Sequence, residues 1–488
     1  MSRILAPLVR LPWRSIPLRP FLARRSYSTP YRELVPESKA DHRVVNEATA
    51  NNVTVDYAQK YLRKPAPEGV RLAKDRLEVT VDGHKRGFRY MLLRDACKCD
   101  LCVDEHSKQR NFRTTDIPHR IVPREVTWDG KKLQIQWAFD VKGWSMHHVS
   151  TYDAHTLREN RANPPRSATG RYRPRFLWNK FIMEAKQHWV SYDEYMNDEK
   201  AFAKAMRYLS LMGIIFVKDI PDSREMVEKI ATRLGPLRNT FYGPTWDVRS
   251  VPQAKNVAYT NVFLGFHMDL MYMNEPPGFQ LLHCLQNSCD GGESLFVDSF
   301  RAVSEIRDRW PESFKKLTEL RLNYEYNHKD HVYYNSWPVV EMEDGDPTRR
   351  VGHVNYSPPF QAPIISNEPM YGKWRGYMRA LTMFTNEIER ERNVFQRKLN
   401  PGECVIFENR RILHARNKFN TEQGQRWLAG AYVDEDAVLS TFRTCRDADP
   451  EGWIGTLVKT PTIRGSNLVS ETSADAGGQA TAENKEIA

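Results

Sequence analysis

Long apolar runs are missing from this sequence. Stretches such as Leu211-Met212-Gly213-Ile214-Ile215-Phe216-Val217 fall far short of the roughly 20 residues a membrane-spanning helix needs, so no membrane partner is expected. Acid is missing from one end. Residues 1–32 contain Arg3, Arg10, Arg14, Arg19, Arg24, Arg25 and Arg32 without a Lys, Asp or Glu, so they carry +7 of the formal +11 and the remainder carries only +4. An Arg-rich, acid-free start with Ser and scattered Leu, Trp and Phe reads as a mitochondrial transit peptide over residues 1–27, cut between Tyr27 and Ser28 and bound for the matrix; the alternative is a disordered basic tail. With that segment set aside, the charge gives little argument for a nucleic-acid partner. Cysteines in even number are missing too. Cys97, Cys99, Cys102, Cys284, Cys289, Cys404 and Cys445 are seven, and in a reducing compartment they do not predict a disulfide scaffold.

What is present is ordinary globular composition, 40% apolar and 27% charged over 488 residues, enough for two or three domains. Residues 70–155 are β-patterned. Leu77–Val81 alternates, Asp82-Gly83 is a turn, and Gly87–Leu93 resumes a strand; Val126–Trp128, Asp129-Gly130 and Leu133–Trp137 repeat the device. Between the hairpins lies Cys97-Lys98-Cys99-Asp100-Leu101-Cys102. Three thiols at this spacing suit tetrahedral Zn2+ once a fourth ligand arrives, with His148 the candidate and His106 and His147 its rivals. Such a closed site would stiffen a small β domain and would not be catalytic.

Residues 156–172, with Asn163-Pro164-Pro165, read as a linker, residues 173–455 as a second and larger domain, and residues 465–488 as a disordered tail. The larger domain opens with a helix over Ala201–Leu211 stopped by Gly213, a buried strand Ile214–Val217, and a helix over Ser223–Leu234 capped by Asp222 or Ser223. Further on, a helix is predicted near Met370–Glu389. In Phe266-His267-Met268-Asp269-Leu270, read as a strand, His267 and Asp269 share one face and apolar side chains fill the other. Far downstream, the strand Cys404–Phe407 leads through a polar turn, Glu408-Asn409-Arg410-Arg411, to Ile412-Leu413-His414-Ala415-Arg416. If His414 folds back beside His267 and Asp269, the three form the two-histidine, one-carboxylate face that holds non-haem Fe(II) and leaves neighbouring positions open.

Further motifs carry a resemblance. Leu93-Arg94-Asp95 leads into the cysteine cluster; Thr240-Phe241-Tyr242-Gly243 is followed by Thr245-Trp246; and Asn256-Val257-Ala258-Tyr259-Thr260 precedes the His267-x-Asp269 pair. Pro277-Gly278-Phe279-Gln280-Leu281-Leu282-His283-Cys284, Gly291-Gly292-Glu293-Ser294, Arg411-x-Leu413-His414 and Arg426–Tyr432 follow in order. Over roughly Leu77–Arg446 the chain resembles the gamma-butyrobetaine and trimethyllysine dioxygenase family, in particular its fungal mitochondrial members. The resemblance implies a mainly β fold with flanking helices, a small zinc-binding β domain followed by a double-stranded β-helix, or jelly roll. It implies a 2-oxoglutarate-dependent oxidoreductase of carnitine biosynthesis, with Fe(II) held by His267, Asp269 and His414. By the same likeness, Arg426 grips the far carboxylate of the 2-oxoglutarate co-substrate with help from Ser294; Tyr242, Trp246, Tyr259 and Tyr432 cage a trimethylammonium group; and Asn256 and Asn355 hold the substrate carboxylate. It admits ascorbate as a reductant and a homodimeric assembly, with O2 and a small molecule as the partners. Gamma-butyrobetaine leads as substrate, with trimethyllysine and another small acid as alternatives. Two rivals stand outside that class: a zinc-stabilised jelly-roll binding protein without turnover, and a nucleic-acid or histone modifier. One departure matters. Where gamma-butyrobetaine dioxygenase has a cage tyrosine directly after the Asp ligand, this chain has Leu270, with Tyr272 two residues on.

Overall fold

The computed structural model describes residues 58, 60–144, 147–159, 173–249, 260–343, 350–364, 371–422 and 424–454. The expected transit peptide, residues 160–172 of the expected linker, the tail, and the candidates Asn256 and Tyr259 lie outside the described residues. The chain divides into two units, residues 1–162 and 163–488.

In the first unit, β1 (Val70–Leu72), β2 (Arg76–Val81) and β3 (His84–Arg89) form one antiparallel sheet, and β4 (Pro123–Trp128), β5 (Lys132–Trp137) and β6 (Val149–Asp153) another. The β2–β3 turn, Asp82-Gly83, has φ of 51° and 75°; two successive positive values give the hairpin turn whose twist matches that of its strands. Leu77, Val79 and Val81 alternate inward from β2, as do Leu133, Ile135 and Trp137 from β5, and all six are buried in one core. β3 ends sooner than the run Gly87–Leu93 predicts, because Tyr90–Asp95 is a helix. Its buried residues, Tyr90, Leu93 and Arg94, are one turn apart, so the helix brings Tyr90 and Leu93 inward together where strand alternation would send them to opposite faces.

The second unit is built on two sheets. Its strands are β7 (Trp189–Ser191), β8 (Ile214–Lys218), β9 (Thr245–Arg249), β10 (Leu264–His267), β11 (Phe279–Asn287), β12 (Ser294–Asp298), β13 (Arg321–His328), β14 (His331–Pro338), β15 (Val340–Met342), β16 (Val351–Val354), β17 (Gln361–Ala362), β18 (Phe395–Arg397), β19 (Cys404–Glu408), β20 (Ile412–Arg416) and β21 (Arg426–Val433). One sheet runs β7-β8-β19-β11-β21-β9 and the other β10-β20-β12-β18. Strands distant in sequence are neighbours in both, and the inner faces meet as a double-stranded β-helix. Helices Glu199–Met212, Met226–Leu234 and Glu435–Ala448 bury their apolar faces with β8, β11, β19 and β21 in a shared core. The first is capped by Asp198, whose side chain accepts from Lys200 and Ala201 N–H, and ends at Gly213 with φ 74°, a backbone conformation glycine adopts without a Cβ penalty. The second starts at Met226, later than expected: Ser223 spends its hydroxyl in the preceding turn, accepting from Glu225 N–H at 3.3 Å.

Glu408-Asn409-Arg410-Arg411 joins β19 to β20 and, far from being a solvated turn, is buried throughout. Arg411 pairs with Asp298 at 2.9 Å, both side chains fully enclosed, and Glu408 receives Arg173 and Arg175 at 2.7 and 3.2 Å. Every charge in it is matched, which is what makes its burial tolerable.

Candidate functional site

Antiparallel pairing of β10 with β20 sets His267 directly opposite His414, their rings 4.1 Å apart. β10 stops at His267. Asp269 is therefore not on a strand with it but one step into the turn beyond, where Leu270 takes a φ of 58°. A buried side chain that the sequence reading passed over fixes that turn: Asn409 accepts from Asp269 N–H at 2.9 Å and donates to the Asp269 and Pro277 carbonyls at 3.0 and 3.1 Å. Its only sequence signal is its place in a polar run that has no solvent to face. His267 Nδ1 donates to the Gly265 carbonyl at 2.8 Å, which leaves Nε2 bare and 3.5 Å from Asp269 Oδ1. One ligand atom from each of His267, Asp269 and His414 lies within 4.8 Å of the other two. Burial, then the neighbouring His267, holds His414 far below the usual imidazole range, so it is neutral and able to ligate. Two imidazole nitrogens and a carboxylate on one side of a space, with the other side open, fit an octahedral Fe(II).

That space is a cavity, partly open to solvent, lined from both sheets. At one end sits Arg426, the first residue of β21. Its Nε donates to the Gly292 carbonyl at 3.2 Å and its guanidinium lies 5.6 Å from the Phe419 ring centre. Burial lowers its pKa to about 10, so it stays cationic at neutral pH, and no carboxylate pairs with it among the described residues. Ser294 lines the same cavity and lies opposite Arg416 in the β12–β20 ladder. Arg416 is a second buried cation on the wall that the sequence reading did not single out, although its place two residues past His414 on one strand puts it on the same face.

The other end is aromatic. Trp246 on β9 stacks on Tyr432 of β21 at 3.9 Å. The stack depends on Gly430, opposite Trp246 in the ladder: a Cβ there would stand 2.4 Å from the indole. Tyr242, Leu270, Gln280 and Phe360 complete this wall, the last two unforeseen. Tyr432 donates its hydroxyl to Asp269 Oδ2 at 2.6 Å; burial and that carboxylate keep it protonated by raising its pKa well above the usual phenol value. Tyr272 is buried behind the wall, 5.2 Å from Phe360 and 5.3 Å from Tyr326. The tyrosine-rich segment is the β13–β14 hairpin, whose Tyr326 packs edge-on against Tyr242 at 6.3 Å. Asn355 corrects an expectation. It does not line the cavity: it is fully buried, its amide donates to the Pro338 carbonyl and its oxygen accepts twice from Arg410, at 2.9 and 2.7 Å, so its side chain is turned to the protein and not to a substrate.

The first unit holds the other cluster. His148 Nε2 lies 3.6, 3.3 and 3.4 Å from the Cys97, Cys99 and Cys102 sulfurs, while His106 and His147 are not in the group. A tetrahedral Zn2+ with ordinary bond lengths would hold such nitrogen and sulfur atoms about 3.6 Å apart, so the residues fit the ion. His148 Nδ1 contacts Asp140 at 2.6 Å, Asp140 receives Arg94, and Arg94 reaches Cys102 at 3.3 Å. A carboxylate behind the histidine fixes the ring and its tautomer for ligation.

Residues 183–432 match the family described as "Taurine catabolism dioxygenase TauD, TfdA family", and residues 70–160 match "Gamma-butyrobetaine hydroxylase-like, N-terminal". The chain is 34% identical over 378 residues to Dioxygenase str8 of Strobilurus tenacellus, covering 74% of this chain and 85% of that one. It is 30% identical over 375 residues to the mitochondrial trimethyllysine dioxygenase of Rattus norvegicus, covering 76% and 85%. With the gamma-butyrobetaine dioxygenase of Pseudomonas sp. strain AK-1 it shares 29% over 397 residues, covering 80% and 98%.

Proposed function

Since the chain belongs to the TauD, TfdA dioxygenase family, we propose that it uses Fe(II) and 2-oxoglutarate to hydroxylate an unactivated carbon of a trimethylammonium acid, gamma-butyrobetaine first and trimethyllysine second. It is an oxidoreductase. The observation that carries the reading is the pairing of two features in one cavity: an open His267/Asp269/His414 face, and a buried Arg426 with no carboxylate partner among the described residues. A dicarboxylate that chelates a metal at one end needs a fixed cation for the other, and a guanidinium can meet it with two parallel hydrogen bonds.

Fe(II) together with 2-oxoglutarate supplies O2 activation: one C–H bond, O2 and 2-oxoglutarate become C–OH, succinate and CO2. The chain's own part is binding, orientation and exclusion of water. Arg426, with Ser294 beside it, orients the co-substrate. Trp246, Tyr432 and Tyr242 offer ring faces to a diffuse positive charge that donates no conventional hydrogen bond. Together they hold one carbon of the substrate toward the metal face, where correct placement lowers the barrier. Leu270 in this wall favours a second reading, hydroxylation of another small acid. For the first unit we propose a structural Zn2+ on Cys97, Cys99, Cys102 and His148, and for the whole protein the mitochondrial matrix, supported by the acid-free leader and by the location that the trimethyllysine dioxygenase's name gives. No helix among the described residues is long and apolar enough to cross a membrane.

The test is succinate formation by purified protein with Fe(II) and 2-oxoglutarate, comparing gamma-butyrobetaine, trimethyllysine and no amine. Stimulation by gamma-butyrobetaine is expected; turnover indifferent to both amines would replace the substrate and keep the chemistry.

A further inference from the structure

Asp269 has two oxygens, and the structure gives them different work. Oδ1 faces the histidines, 3.5 Å from His267 Nε2, while Oδ2 is taken by the Tyr432 hydroxyl at 2.6 Å. The backbone of the same residue is held from the other side by Asn409. Tyr432 is itself closely packed: it is buried, its ring is stacked on Trp246, and Trp246 lies across Gly430 with no room for a Cβ. One enclosed phenol therefore presents its ring to the aromatic end of the cavity and its hydroxyl to the metal face.

We propose that Tyr432 is a positioning residue for Asp269, restricting it to one ligating oxygen and linking the aromatic subsite to the metal. The proposal rests on the Fe(II) and 2-oxoglutarate reading above. Its force comes from coordination arithmetic. An octahedral ion given three protein ligands keeps three positions, two for a chelating 2-oxo acid and one for O2. A carboxylate free to bind through both oxygens would occupy one of those three and leave the chelate and O2 competing for two. The hydroxyl on Oδ2 prevents that. Because the same residue forms the aromatic wall, whatever presses on its ring is felt at the ligand, and the coupling is reciprocal by linkage.

The experiment uses the full-length protein under anaerobic conditions, with Fe(II) titrated against a competing chelator and the visible metal-to-ligand band of the Fe(II)–2-oxoglutarate complex recorded with and without gamma-butyrobetaine. Tyr432→Phe keeps the ring and removes the hydroxyl; Trp246→Phe perturbs the wall and leaves the hydroxyl. We expect Tyr432→Phe to lose roughly 10- to 100-fold in Fe(II) affinity, as removal of a group behind a metal ligand does, with a shifted band and a gamma-butyrobetaine KM changed only a few-fold at saturating Fe(II). Trp246→Phe should show the reverse balance, weakening the amine most and changing Fe(II) affinity far less than Tyr432→Phe does. Thermal melting of both variants identifies any loss through misfolding, and in the wild-type protein the amine should by itself shift the band. An unchanged band and affinity in folded Tyr432→Phe overturns the proposal and leaves the function standing; a wild-type protein that binds no Fe(II) with 2-oxoglutarate overturns both.

Discussion

The two ligand clusters of this chain are built on opposite plans. In the first unit three thiols come from six consecutive residues and His148 Nε2 lies within 3.6 Å of each, the four-ligand set proposed for Zn2+, which would leave no room beside the ion. In the second unit, His267 and Asp269 meet His414 only because β10 and β20 pair, and the three occupy one side of a cavity partly open to solvent. Behind each cluster stands a supporting layer, Asp140 and Arg94 in one case, Asn409 and Tyr432 in the other. The difference is what faces the ion. A closed set can only hold structure together, whereas an open set beside a buried, unmatched cation can bring reactants to the metal.

That contrast is sharpest when each cluster loses one ligand. His267→Ala should abolish 2-oxoglutarate turnover while the melting profile stays close to wild type, checked by succinate formation and calorimetry on the same preparation. Cys102→Ser should act the other way. Structural zinc in small domains supplies on the order of 10 kcal/mol of folding free energy, so zinc content by mass spectrometry should fall and residues 60–159 should lose protection in hydrogen exchange. If His267→Ala unfolds the protein, or Cys102→Ser melts like the parent, the assignment of open and closed roles is wrong.

The same contrast explains what could be read from the sequence. The cysteine cluster is local, so its spacing alone announces a metal. His414 lies far from His267 in sequence, so the residues alone make the triad conditional on the chain folding back and the resemblance supports it; the pairing of β10 with β20 is the physical fact behind it. Less legible were residues whose partners are also remote. Glu408-Asn409-Arg410-Arg411 reads as a polar turn, and polarity in a sequence implies water, yet each member is buried and meets a partner, among them Asp298, Arg173, Glu341 and the Asp269 backbone. Asn355 was expected at the substrate and belongs instead to Arg410. Tyr90–Asp95 continues an apolar run in sequence, but burial of Tyr90 with Leu93 demands a helical turn.

A smaller effect isolates the cation. Arg426→Met removes a charge-assisted hydrogen bond of about 2 kcal/mol, roughly 30-fold in binding. The KM for 2-oxoglutarate should rise by about that factor, with Fe(II) affinity measured in the absence of 2-oxoglutarate unchanged. A rise in the amine KM alone would move Arg426 from the co-substrate to the substrate.

The finest test concerns Leu270. Its backbone sits at φ 58°, a strain that any residue with a Cβ shares, so Leu270→Tyr adds ring area to the cavity wall without a new backbone cost. A single additional cation–π contact is worth about 1 kcal/mol, or roughly 5-fold. If the cavity serves a trimethylammonium acid with one wall missing, Leu270→Tyr should lower the gamma-butyrobetaine KM by about that factor and leave the 2-oxoglutarate KM alone. If it serves a different acid, the added ring takes space that substrate needs, and turnover of every amine offered should fall or stay at background. The two outcomes differ in sign, and a leucine in this wall then marks either an incomplete cage or a cavity shaped for something that is not a quaternary amine.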